Sequence, residues 1–124
     1  MKIAKLALLT CSMILPLAAS AAQDLSALYQ VFEDKGNSTL SMEEYNQSVS
    51  ITGVALELSQ NMQGTPLLIA GDEEGYILAR LQGVDDAQNA KMSALQEGQR
   101  FSAECVLQFA SGSDYMPFHQ CTFN

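Results

Sequence analysis

From Phe101 to Phe109 the side chains alternate, with Phe101, Ala103, Cys105, Leu107 and Phe109 falling on one face and Ser102, Glu104 and Gln108 on the other. A period of two is the signature of a half-buried antiparallel strand, and a strand of this kind is stable only with partners covering its apolar face. Ser111-Gly112-Ser113-Asp114 follows as a turn, and Met116 to Phe123 reads as the returning strand. A turn centred on Ser113 sets Cys105 opposite Cys121, Leu107 opposite His119, Ala103 opposite Phe123 and Phe109 opposite Pro117. Facing residues of an antiparallel pair lie about 4.5 to 5.5 Å apart at Cα, a gap that a disulfide spans. A Cys105–Cys121 bond between the last two strands is therefore expected.

The opposite end of the chain bears on the redox argument. Lys2 and Lys5 precede an apolar run from Leu6 to Leu15, Pro16 breaks the run, and Ala19-Ser20-Ala21 supplies small residues for cleavage. This is the pattern of a secretory signal peptide over residues 1–21, and the run is shorter than the roughly 20 residues of a spanning helix. Cys11 follows Leu9-Thr10, where a lipobox carries a small residue, so cleavage without lipidation and a periplasmic or secreted product are expected. Losing residues 1–21 removes Lys2 and Lys5 but no acid, leaving four basic residues against fourteen acidic ones and a net charge of about −10. Such a field repels phosphate backbones and anionic membrane surfaces and favours cationic partners. Cys105 and Cys121 are then the two cysteines left, in a compartment where thiols are usually oxidised.

Between these ends the periodicity changes twice. Leu25, Leu28, Tyr29 and Phe32 recur at helical spacing, with Asp24 placed to cap and Gly36-Asn37 placed to stop, which predicts a helix over Leu25 to Asp34. Ser41 and Glu44 have capping-box spacing, so a short helical turn is expected from Ser41 to Asn46. From Val49 the period becomes two and continues to Leu58, with Gly53 read as a bulge or bend in a long strand. Gln63 to Pro66 is a turn, Leu67 to Ala70 a short strand, Gly71 to Gly75 an acidic loop and Tyr76 to Leu81 a third strand. Asp85 to Leu95 reads as a helix with acids at its start, closed by Glu97-Gly98.

A chain of 124 residues makes one domain. The expected organisation is a signal peptide at 1–21, an N-terminal helical segment at 22–47 and a β domain at 48–124. The order β-β-β-α-β-β after the leading helix suits a mostly β, five-stranded Greek-key barrel of the OB type. Tyr45 with the run Val49-Ser50-Ile51-Thr52-Gly53, Leu95-Gln96-Glu97-Gly98, and the spaced Cys105 and Cys121 resemble the tRNA-anticodon-binding-like OB-fold family of small exported bacterial proteins. The resemblance covers nearly all of the mature chain, whereas the commoner family pattern carries a lipobox and lacks the Gly36 to Thr39 insertion. It implies an OB fold and an exported or lipid-anchored location, and the family name records fold kinship without establishing tRNA binding.

Several constellations could carry chemistry. Residues 33–44 resemble an EF-hand calcium loop, but Glu33 stands at the first ligand position, Lys35 puts a cation at the third, and Ser38 replaces the glycine of the sharp turn. Cys105, Cys121 and His119 share parity and could form a zinc site, although a disulfide needs only the two cysteines. The acids Asp72, Glu73 and Glu74 could collect a cation or a basic partner, or be a solvated loop. OB barrels bind ligands across their second and third strands, which places Tyr76 and Arg80 beside Asp72, Glu73 and Glu74 as the candidate ligand face. No Walker loop, G-x-S-x-G or C-x-x-C occurs. The expectation is a non-catalytic, exported binding or structural module with a protein or small-molecule partner, no cofactor and no metal. A nucleic-acid-binding OB domain and calcium binding at 33–44 are the alternatives.

Overall fold

The computed structural model describes residues 21–124; residues 1–20, which hold Cys11 and all but the last residue of the expected signal peptide, lie outside the described residues. A two-residue strand β1 (Gln23–Asp24) leads into helix α1 (Leu25–Asp34). Strands β2 (Ser48–Gln60), β3 (Pro66–Gly71) and β4 (Ile77–Gly83), helix α2 (Asp86–Ser93), and strands β5 (Arg100–Leu107) and β6 (Met116–Phe123) follow. The sheet runs β1-β2-β3-β4-β6-β5, and β5 pairs back onto β2, so the last five strands close into a barrel. All neighbours in that barrel are antiparallel except β4 and β6. This is the OB fold, with α2 between its third and fourth strands.

The 13-residue β2 makes closure possible because its first half pairs with β5 and its second half with β3. The irregularity that separates the halves lies between Ala55 and Glu57, and not at Gly53. Gly53 serves a different purpose. A Cβ there would stand 2.6 Å from Leu25 Cδ1, so the missing side chain lets the start of α1 pack against the strand. Leu25, Leu28 and Phe32 are fully buried in the same core as Ile51, Leu81, Leu107 and Phe118. Each contributes about 2 kcal/mol of hydrophobic stabilisation, so the N-terminal helix belongs to the barrel's core. Asp24 caps it through Oδ1, which accepts from Ser26 N, and Gly36 and Asn37 end it at positive φ.

Residues 39–47 form successive turns instead of a helical one. Met42 N donates to Thr39 O, Tyr45 N to Met42 O and Gln47 N to Glu44 O. Asn46, at φ 60°, stops any helix, and its N–H donates to Leu107 O. Thr39, buried without exposure, accepts from Ala110 N at 2.8 Å and donates to Gln108 O at 2.8 Å. These bonds bend the chain after Leu107, which ends the alternation early. Phe109 consequently lies on the surface at 56% exposed, while Ala110 is buried.

The final hairpin keeps the expected register only near its open end. Ala103 faces Phe123 and Glu104 faces Thr122, as a turn at Ser113 requires, and the Cys105–Cys121 disulfide forms. Beyond it the register slips by one, so Val106 faces His119 and Leu107 faces Phe118. The extra residue is absorbed beside Gln120, which adopts φ 53°. Met116 and Phe118 on one side of this bulge and Cys121 and Phe123 on the other are all buried. His119 is thereby moved off the inward face on which parity had placed it.

Candidate functional site

The structure divides the five residues of the candidate ligand face, keeping Asp72, Glu73 and Glu74 together and placing Arg80 elsewhere. Asp72 is occupied in its own turn, where Oδ1 accepts from Glu74 N and Tyr76 N, both at 3.0 Å. Glu73 pairs with Arg100 Nη1 at 3.1 Å, and Arg100 Nη2 reaches Asp24 at 3.3 Å. Asp24, Ser26, Asp72, Glu73, Glu74 and Arg100 thus surround one acidic hollow, in which the single cation is already shared between two acids. Tyr76 is largely exposed just before β4. Arg80 lines a different surface.

Arg80 alternates with the buried Ala79 and Leu81 and so points outward from β4, level with Ile69 on β3 and Pro117 on β6. Its guanidinium carbon lies 4.2 Å from the centroid of the Tyr115 ring, a cation–π contact that restrains the side chain. The cavity beside it, of about 400 Å³, is walled by Gln60, Asn61, Gln82, Gln108, Tyr115 and Phe118, with Met62, Leu67 and Pro117 completing its apolar part. No acid lines it, in contrast to the hollow around Arg100. Among the described residues Arg80 has no salt bridge, and its Nε is buried without a hydrogen-bond partner.

Both walls are built by local turn chemistry. In the β2–β3 hairpin, Asn61 Oδ1 accepts from Gln63 N and Thr65 N, each at 2.9 Å, and Gly64 takes φ 84°. On the other side Ser113 Oγ donates to Tyr115 O and accepts from Tyr115 N, setting the direction of the tyrosine. The N-terminal segment buttresses this loop, since Asn37 Nδ2 donates to Ser113 O at 2.7 Å and Tyr29 OH to Asp114 O at 2.8 Å. Burial, followed by the charges of Glu33 and Asp114, pushes the Tyr29 phenol above its ordinary value. The hydroxyl therefore stays a donor through the neutral pH range.

The remaining constellations resolve differently. Cys105 and Cys121 are bonded to each other, so neither is a thiolate for zinc. Around residues 33–44, Asn37 and Thr39 direct their side chains to the barrel, and among the described residues no group of three or more His, Cys, Asp or Glu is arranged to hold a metal ion. Among those residues, too, no helix is long and apolar enough to cross a membrane. Of the groove, sequence reasoning reached Arg80 and missed Tyr115, Asn61, Gln82 and Gln108. Tyr115 follows a recognised turn and shares parity with Pro117, but nothing local ties it to a residue of β4.

No protein-family model matches the chain, and no curated protein matches it. Among solved structures, it is similar to a protein of Klebsiella pneumoniae subsp. pneumoniae described as a "putative nucleic acid-binding lipoprotein". The TM-score is 0.59 over 83% of this chain and 92% of that one, at 16% identity. What the two share is the fold.

Proposed function

We propose that the chain is an exported, non-catalytic OB-fold binding module of the bacterial envelope, of the tRNA-anticodon-binding-like type, and that its ligand sits in the groove over β3, β4 and β6. The observation that carries this reading is Arg80, a cation held on Tyr115 in a pocket with no acid, on the surface that OB barrels use for ligands. Lys2, Lys5 and the apolar run after them support export, as does the lipoprotein description of the structural neighbour. The groove walls contain amides, aliphatic and aromatic groups and one guanidinium, with no nucleophile–base pair, which favours binding over catalysis.

The neighbour's description favours a second reading, nucleic-acid binding. One cation in the groove and a net charge of about −10 argue against it, because affinity for a phosphate backbone grows with the number of counterions released.

The test is amide chemical-shift mapping of the mature chain with a panel of short peptides and with an eight-nucleotide oligothymidylate. Saturable shifts at Asn61, Arg80, Gln82 and Tyr115 with any of these probes are expected. Shifts confined to Asp24, Glu73 and Arg100, or no shift with any probe, would overturn the assignment of the groove.

A further inference from the structure

We infer that the groove recognises a single carboxylate carried on a short peptide, neutral or basic over the rest of its length; this rests on the groove being the ligand site. The inference starts from the contrast between two arginines. Arg100, at 48% side-chain exposure, is matched by two carboxylates, Asp24 and Glu73. Arg80 is half-buried among amides and apolar groups and is matched by none. A guanidinium offers five N–H donors, and in Arg80 the Nε is closed off without a partner. The donors left for a ligand are the two Nη groups, which can meet both oxygens of one carboxylate in a bidentate pair. The guanidinium carbon sits over the Tyr115 ring, which restrains the side chain, so part of the ordering cost of that pair is met before the ligand arrives.

The rest of the lining selects what bears the carboxylate. Gln60, Gln82 and Gln108 each carry an amide that can both donate and accept, the complement of peptide N–H and C=O groups, and Asn61, whose Oδ1 is taken by its own turn, adds an NH2 donor. Leu67 and Pro117, with the exposed Met62 beside them, add apolar surface for a side chain. A cavity of about 400 Å³ has room for a few residues and no more. A polyphosphate backbone is a poor match, since a second cation is lacking among the lining residues. The overall charge adds a further filter, as fourteen acids outside the groove repel a ligand with several negative charges but not one whose remaining length is neutral or basic.

The experiment is isothermal titration and amide-shift mapping of the mature, oxidised chain with four probes. They are N-acetyl-alanyl-alanyl-leucine with a free C-terminal carboxylate, its C-terminal amide, a tripeptide amide with a central aspartate, and the eight-nucleotide oligothymidylate. At least one carboxylate probe is expected to bind at least about tenfold more tightly than the amide, and the pair of carboxylate probes tells a chain terminus from an acidic side chain. Arg80→Gln should weaken that probe by about tenfold or more, and Arg80→Lys should recover part of the loss, because the charge returns without the fork. Thermal unfolding of both variants verifies the fold. Equal binding of carboxylate and amide in the groove would overturn the inference while leaving the groove as the ligand site, and so would tighter binding of the oligothymidylate. No groove shifts with any probe would overturn both.

Discussion

Reducing the Cys105–Cys121 bond should cost the fold about 3 kcal/mol. The two residues are 16 apart in sequence, and the chain-entropy relation for a loop of that length removes about 10 cal/mol/K from the unfolded ensemble, about 3 kcal/mol at 25 °C. For a domain of about 100 residues, 1 kcal/mol moves Tm by roughly 4 to 8 °C, so reduction should lower it by about 12 to 24 °C. Both sulfurs are buried, at 1% and 0% residue exposure, so replacing both cysteines by alanine should add about 1 to 2 kcal/mol for lost packing. Urea unfolding of the oxidised chain, the reduced chain and the Cys105→Ala, Cys121→Ala variant separates the two contributions, because reduction keeps the sulfur volume and removes only the crosslink. The reduced chain should also give a steeper urea dependence, since its unfolded state exposes more surface. Identical midpoints for the oxidised and reduced chains would refute the loop-entropy reasoning, whatever the alanine variant does.

Three other substitutions probe the framework of the groove. Thr39→Val should destabilise by about 1 to 3 kcal/mol in urea unfolding, because it strands the buried Ala110 N–H and removes a partner of the part-buried Gln108 carbonyl. Gly71→Ala should cost about 3 kcal/mol in the same assay, since the new Cβ would run into the Tyr76 carbonyl and lie 2.7 Å from Leu56 Cδ1. Tyr29 has a phenol raised above the value of an unfolded chain, so its contribution is complete below pH about 10 and is lost as the pH rises through the folded value. In an alkaline series of unfolding midpoints, Tyr29→Phe should fall less steeply above pH about 10 than the native chain. An unchanged slope would remove Tyr29 from the account.

Local periodicity was enough for α1 and the long strands, though not for β1 or the turns at 39–47. The spacing of Leu25, Leu28 and Phe32 specified α1, and the alternation in β2 and β5 specified strands, because each pattern needs only neighbours a few residues away to define a buried face. Asp24 and Gly36 marked the ends of α1 for the same reason, as a cap is a bond to a backbone group within a turn, whereas Asp85, read as the first helical residue, is the cap of α2. The spaced cysteines and a turn at Ser113 were sufficient for the disulfide.

Where the alternation breaks was decided by the closed barrel. Met116 and Phe118 have one parity and Cys121 and Phe123 the other, a visible sign that one residue between them must be set aside, yet only pairing with β5 and β4 decides that Gln120 yields. The bulge in β2 follows likewise from one strand serving two partners. The groove is the fullest case. Arg80 and Tyr115 are 35 positions apart, and Asn61 and Gln108 come from separate hairpins, so no periodicity connects them. Their meeting depends on the parallel pairing of β4 with β6, a contact whose partners are set by chain closure and by which side chains the shared core can accommodate.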